Sequence, residues 1–365
     1  MLIFIGIAGA IVVLAALALA YRAFRQHHNA RTFAIRTPTG VDEAMFVRIG
    51  GIDQWVEVRG KNRDNPVVLF LHGGPGFSYR AFTATFRAWE EYFTVVHWDQ
   101  RGAGKTYGTN RKADAGPLTI DRMVQDGIEV AEFVSQRLHK PKIILLGHSA
   151  GSVLGLGMVK RRPNLFYAYV GTAQAVDTPR NNGLSYELAL KKARASGNTK
   201  AIRALEGIGP PPFKDQKAWR VNARWCMNEE LLARNAARGR DSEPSFLSRF
   251  LFAPNYSLKD VFDQFASLSI SMSQLFEEHM AFEAKRLATR FEVPMFFFQG
   301  DGDFQTLTPL VEEYAAAIEA PQKGVVLLKG GGHTSVTALS QVFLTELVAR
   351  VRPLSMSQPT VVQST

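Results

Sequence analysis

The chain reads as an α/β protein, with a mostly parallel central sheet flanked by helices, an inserted helical cap and an N-terminal transmembrane helix. Three observations predict this. From about residue 45, short apolar runs alternate with longer amphipathic stretches, the pattern written by βα repeats. A long stretch, 180–287, interrupts that alternation and holds no buried-strand run. Residues 1–20 carry no charged side chain.

Residues 1–21 come first. At about 1.5 Å per residue, such a helix crosses a hydrocarbon core of about 30 Å. A cleaved signal peptide is the competing reading, because Ala18-Leu19-Ala20 has the look of a small-residue cleavage site. Signal peptides carry their positive charge ahead of the apolar run, whereas Arg22, Arg25, Arg31 and Arg36 follow it here. That order favours a retained single-pass membrane anchor and puts the body in the cytoplasm. Residues 22–43 then read as a polar juxtamembrane linker.

The α/β core is expected over 44–178 and 290–352. Its candidate strands are the apolar runs 66–71, 93–98, 142–146, 166–170, 293–298 and 324–328. They are rich in Val, Ile, Leu and Phe and largely unbroken by polar residues, as strands buried on both faces must be. The pair 45–49 and 54–58 suits antiparallel edge strands. Helical periodicity marks 120–138, 149–160 and 336–351. Residues 179–289 read as the cap. The polar tail 353–365 is expected to be disordered.

Composition narrows the function. Of 365 residues, 46% are hydrophobic, enough for a sizeable core. The net charge of +10 suits an anionic membrane surface, nucleic acid or acidic ligands. No zinc knuckle, RNP-like aromatic motif or long basic run is present, so membrane lipid is the expected partner and nucleic acid is not. The single cysteine, Cys226, cannot form an intrachain disulfide and reads as a small buried apolar residue. No Cys/His grouping has metal-ligand spacing, and the chemistry below needs no cofactor.

That chemistry begins at Gly147-His148-Ser149-Ala150-Gly151. A buried strand runs directly into G-x-S-x-G and a helix follows, the context of a nucleophile elbow in an α/β-hydrolase fold. The serine needs a base. Of eight histidines, His333 alone follows the final strand, in Gly330-Gly331-Gly332-His333. His148 should point away from Ser149 by strand alternation. The base needs a carboxylate, and in this fold the chain order is Ser, Asp or Glu, His. Asp301 and Asp303 both follow the strand 293–298, and strand-end position does not separate them. Acyl transfer also needs N–H donors for the oxyanion. Ala150 supplies one. Gly74, in His72-Gly73-Gly74-Pro75-Gly76 after the first long buried strand, supplies the other, since Pro75 has no N–H. Gly102-Ala103-Gly104-Lys105-Thr106 looks like the end of a phosphate-binding loop, but Asp99 stands where that motif needs glycine.

Taken together, His72-Gly73-Gly74-Pro75-Gly76, Asp99-Gln100-Arg101-Gly102-Ala103-Gly104 and the serine elbow resemble the prolyl iminopeptidase (proline iminopeptidase) family of α/β hydrolases over roughly residues 45–350. The family's acid lies three residues beyond the glycine ending its strand, so the resemblance selects Asp303, and its oxyanion donors match Gly74 and Ala150. It implies a small ester or peptide substrate and an aminopeptidase that releases N-terminal proline. Its members bind the free amine with acidic cap residues, for which Glu206, Glu229, Glu230 and Glu277 are candidates. Ala150 departs from it, standing where tryptophan is usual. Three functions follow as expectations: a proline aminopeptidase, a membrane-associated carboxylesterase or lipase-like hydrolase of acyl esters, and a membrane-tethered binding protein with an inactive triad.

Overall fold

The structure is a computed structural model that describes residues 2–111, 115–238, 246–254 and 256–356. Eight strands form one sheet: β1 (Val41–Ile49), β2 (Ile52–Gly60), β3 (Val67–Leu71), β4 (Thr94–Asp99), β5 (Ile143–His148), β6 (Phe166–Thr172), β7 (Met295–Gly300) and β8 (Lys323–Leu328). Their order is β1-β2-β4-β3-β5-β6-β7-β8. β1 pairs antiparallel with β2 and β2 with β4, while every pair from β4 through β8 is parallel. The sequence-predicted runs all fall on these strands.

Side-chain alternation explains why those runs are apolar throughout. Successive residues of a strand face opposite sides. In β3, Val67, Leu69 and Leu71 join the core on one side of the sheet. Val68 and Phe70 join the core on the other. β5 divides the same way, Ile143 and Leu145 against Ile144 and Leu146. Helices Ile120–Arg137 and Ala150–Arg161 supply apolar residues to the first side, and Ser340–Arg350 to the second. The predicted helix over 336–351 is in fact two, Ser335–Ala338 and Ser340–Arg350, parted at Leu339.

Between β6 and β7 the described residues form seven helices, from Thr178–Ala195 to Ala284–Leu287. Their own small core contains Tyr186, Ala189, Leu205 and Cys226. At the N-terminus one helix spans Leu2–Phe33 and β1 starts at Val41. Much of the segment read as a linker is therefore helical. The short helix Arg352–Met356 occupies the start of the segment read as a disordered tail; residues 357–365 lie outside the described residues.

Several core histidines carry a pH consequence. His97 in β4 is buried between Phe70 and Phe86, with ring centroids at 5.6 and 5.1 Å. Burial, then the charges of Arg59, His72 and Arg80, push its pKa down to about 3. Burial likewise lowers His72 to about 4 and His148 to about 3. Between 6.5, the ordinary value, and these lowered values, the unfolded chain binds protons that the folded chain refuses. Stability is therefore expected to fall as pH drops through that window, each group contributing a slope of up to about 1.4 kcal/mol per pH unit. Urea unfolding at pH 7 and pH 5 should show the loss, and His97→Phe should flatten it. An unchanged pH slope in that variant would contradict the assignment.

Candidate active site

β5 ends at His148, and the chain turns sharply at Ser149, φ 52° and ψ −123°, before helix Ala150–Arg161 begins. A positive φ is strained for any residue but glycine. The flanking glycines allow it. A Cβ on Gly151 would lie 2.3 Å from the Leu71 carbonyl oxygen, and one on Gly147 would lie 2.8 Å from that of Gly151. Neither position has room for a side chain. The turn projects Ser149 from the carboxyl end of the sheet, where the loops after β3, β7 and β8 converge.

Ser149 Oγ lies 2.9 Å from His333 Nε2. On the far side of the ring, His333 Nδ1 lies 3.2 Å from both carboxylate oxygens of Asp303. With the proton on Nδ1 facing Asp303, Nε2 is left as an acceptor toward the serine hydroxyl. Burial opposes charge on Asp303, but the adjacent His333 and the hydrogen bonds from Thr306 outweigh it and hold the carboxyl below its ordinary value. Asp303 is saturated with donors. Oδ1 accepts from the N–H groups of Gln305 (2.9 Å) and Thr306 (2.8 Å). Oδ2 accepts from Thr306 Oγ1 (2.6 Å) and Gln299 Nε2 (3.1 Å). Asp301 sits elsewhere, exposed, taking the Gly330 N–H at 2.9 Å. It closes the turn between two loops.

The loop after β3 approaches from the other side. Gly74 and Ala150 both border the cavity beside Ser149. Among the described residues neither of their N–H groups meets a protein acceptor, whereas the Ser149 N–H is taken by the Thr172 carbonyl. Gln100 holds this loop, its side-chain amide donating to the His72 carbonyl at 3.0 Å and its backbone N–H to His72 Nε2 at 3.3 Å. Arg101 is locked in a buried pair with Asp126 at 2.7 Å. The Asp99 carboxylate accepts the Lys105 N–H at 2.8 Å. The segment resembling a phosphate-binding loop thus offers its helix start to an internal acid.

Sequence reasoning left several partners out. His148 borders the same cavity as Ser149, its ring 5.3 Å from that of His333. Its Nε2 lies 2.9 Å from the His333 carbonyl and its Nδ1 3.0 Å from the Tyr79 hydroxyl. Its lowered pKa keeps the ring neutral, so Nε2–H donates to His333 and Nδ1 accepts from Tyr79. Gln299 and Thr306 steady Asp303. Only Thr306 had a sequence signal, since Asp-x-x-Thr is a pattern in which an acid caps its own turn.

Over these groups lies a cavity of about 430 Å³. The cap lines it with Trp219, Leu268, Met272, Phe276 and Met280, and Leu310 adds a wall from below. Among the described residues, no Asp or Glu borders it. Glu206 is paired with Arg194 at 2.8 Å on the outer surface, and Glu277 is exposed. The side chains of Glu229 and Glu230 lie outside the described residues.

The sheet order, the strained serine turn and the serine, histidine and aspartate brought together from three loops define a hydrolase of the α/β class. Residues 68–342 match the alpha/beta hydrolase family, and the chain belongs to it. It is similar to the probable aminopeptidase YbaC of Bacillus subtilis (strain 168), with 30% identity over 288 residues, 78% of this chain and 89% of that one. A proline iminopeptidase of Saccharolobus solfataricus is more distant, 32% identical over 117 residues, 31% of this chain and 35% of that one. Among solved structures, a bacterial membrane phospholipase A shares the fold, with a TM-score of 0.63 at 16% identity, covering 96% of this chain and 98% of that one.

Proposed function

We propose that this chain is a serine hydrolase that cleaves esters with an uncharged, apolar acyl group. The continuous line Ser149–His333–Asp303, 2.9 Å and then 3.2 Å, carries the reading. Ser149 Oγ attacks the carbonyl carbon as its proton passes to His333 Nε2. Asp303 steadies the resulting imidazolium. The N–H groups of Gly74 and Ala150 hold the oxyanion. Collapse expels the alcohol, which takes the proton from His333. Water then repeats the sequence on the acyl-enzyme and releases the acid.

The walls of the cavity support the choice of substrate. A free N-terminal amine brought into so apolar a site needs a carboxylate partner, and the described lining has none. Aminopeptidase action remains the second reading, favoured by the relative named a probable aminopeptidase. In both readings the apolar N-terminal helix, mean hydropathy 2.1 over an 18-residue window, acts as a single-pass anchor with the body in the cytoplasm.

A direct comparison separates the two substrates. Chromogenic acyl esters of increasing chain length and proline with a chromogenic amide are each offered to the protein, with Ser149→Ala as the blank. Serine-dependent ester cleavage that strengthens with acyl length is expected. Serine-dependent cleavage of the proline amide, lost once the proline nitrogen is acylated, would overturn the ester reading and demand an amine site in the cap.

A further inference from the structure

The N-terminal helix does not leave the body as a free tether. Beyond its apolar span, three polar side chains reach one short segment of the cap. Arg22 Nη2 donates to the Tyr256 carbonyl at 2.5 Å, Gln26 Nε2 to the carbonyls of Ala253 (2.9 Å) and Tyr256 (2.7 Å), and Asn29 Nδ2 to that of Phe252 (2.9 Å). Tyr21 packs edge-on against Phe252 at 5.6 Å, and the Arg25 guanidinium covers the same ring at 5.0 Å. Positions 22, 26 and 29 share one helical face. Phe252, Ala253 and Tyr256 are therefore held level with the end of the apolar span.

The next cap helix, Leu258–Gln274, starts at that level and is capped by Ser257. Its Leu258, Phe262 and Phe265 are 41%, 74% and 42% exposed. Their spacing of four and three residues lines them up on one face. Leu247, on the preceding helix Phe246–Leu251, is 51% exposed. Further along the helix, Leu268 and Met272 line the cavity over Ser149. At about 100° per residue, all five positions fall within a stripe about 120° wide. One apolar stripe thus begins on the surface beside the anchor and ends inside the cavity.

We propose that Leu258, Phe262 and Phe265, with Leu247, form a membrane-resting face of the cap, and that lipid-dissolved substrate reaches the cavity along this stripe. The occupant is the bilayer interface, because the face continues from a helix built to cross it and because the polar strut at Arg22, Gln26 and Asn29 fixes its height. The inference rests on the N-terminal helix being an anchor, and its route rests on the ester-hydrolase reading.

The test uses the full chain in vesicles of mixed neutral and anionic phospholipid. Phe262→Cys is labelled with an environment-sensitive fluorophore and compared with Leu327→Cys. Leu327 is 46% exposed on β8, the sheet edge opposite β1 and β2. The anchor helix ends near β2, where the Phe33 carbonyl accepts from Arg59. Buried Cys226 in the unmodified chain supplies the labelling blank. A quencher borne on the lipid chains should dim the label at 262 about threefold more than at 327, since an interfacial helix sinks its apolar face about 5–10 Å below the headgroups. Equal lipid quenching at the two positions overturns the face. A label at 262 shielded from both lipid-borne and aqueous quenchers overturns it in favour of contact with a second copy. Failure of the chain to float with the vesicles removes the anchor, and the face with it, without touching the hydrolase reading.

Discussion

Ser149→Ala is expected to abolish turnover while leaving the fold intact. The hydroxyl oxygen is the only heavy atom removed, and in the proposed scheme it is the atom that attacks. Loss of a triad nucleophile lowers kcat by about 10⁴-fold to 10⁶-fold in serine hydrolases, the residue coming from the oxyanion donors and substrate binding. The backbone at Ser149 already sits at φ 52°, and alanine meets the same strain there as serine. Urea stability should therefore stay within about 1 kcal/mol of the parent. Initial rates on the best acyl ester, beside a urea titration, check both parts. Activity within about tenfold of the parent would sink the scheme, because the scheme rests on the Ser149 hydroxyl, 2.9 Å from His333 Nε2, as the nucleophile.

Asp303→Asn and Asp301→Asn should part company. An amide at 303 can present its N–H₂ to His333 Nδ1 and so favour the wrong tautomer, with the proton on Nε2 where an acceptor is needed. In a serine triad of another fold that change costs about 10⁴-fold in kcat, and a similar loss is expected here. Among the described residues the Asp301 carboxylate takes only the Gly330 N–H, at 2.9 Å, a bond an amide oxygen can also accept. Its variant should keep activity within about twofold of the parent, as surface changes away from a buried network usually do. Steady-state rates at pH 7 decide the matter. Equal losses in both variants, or a larger loss at 301, would contradict the assignment of Asp303.

The fold was legible because its strands are buried on two sides. Val67 to Leu71 and Ile143 to Leu146 have no polar residue to spare, so each strand announces itself as an unbroken apolar run. Ser149 and His333 were legible for a related reason. A strand must end before its loop can carry chemistry, and glycine marks the tight approaches at Gly147, Gly151 and Gly331 and the positive-φ turn at Gly330. The choice between Asp301 and Asp303 was not legible from the strand end. It depends on which side of a turn each carboxylate leaves, and the donors that hold the two carboxylates, Gln299, Thr306 and Gly330, come from separate positions.

The N-terminal segment shows the limit of composition. Residues 22–43 look like a linker because they are polar. Yet Arg22, Gln26 and Asn29 recur at helical spacing, and their polarity serves a docking face. The cavity walls were hidden for a different reason. Trp219, Met272 and Phe276 belong to amphipathic cap helices whose sequence says that one face is buried, without saying against what.

The central claim is that Ser149 is an activated nucleophile, and a fluorophosphonate tests it most directly. The full-length protein is treated with the probe, digested, and the modified residue located by mass spectrometry. A stoichiometric adduct on Ser149, absent in Ser149→Ala and much slower to form in Asp303→Asn, is the result predicted. Intact protein with no adduct, or an adduct on another serine, would contradict the account and favour a membrane-tethered binding protein with an inactive triad.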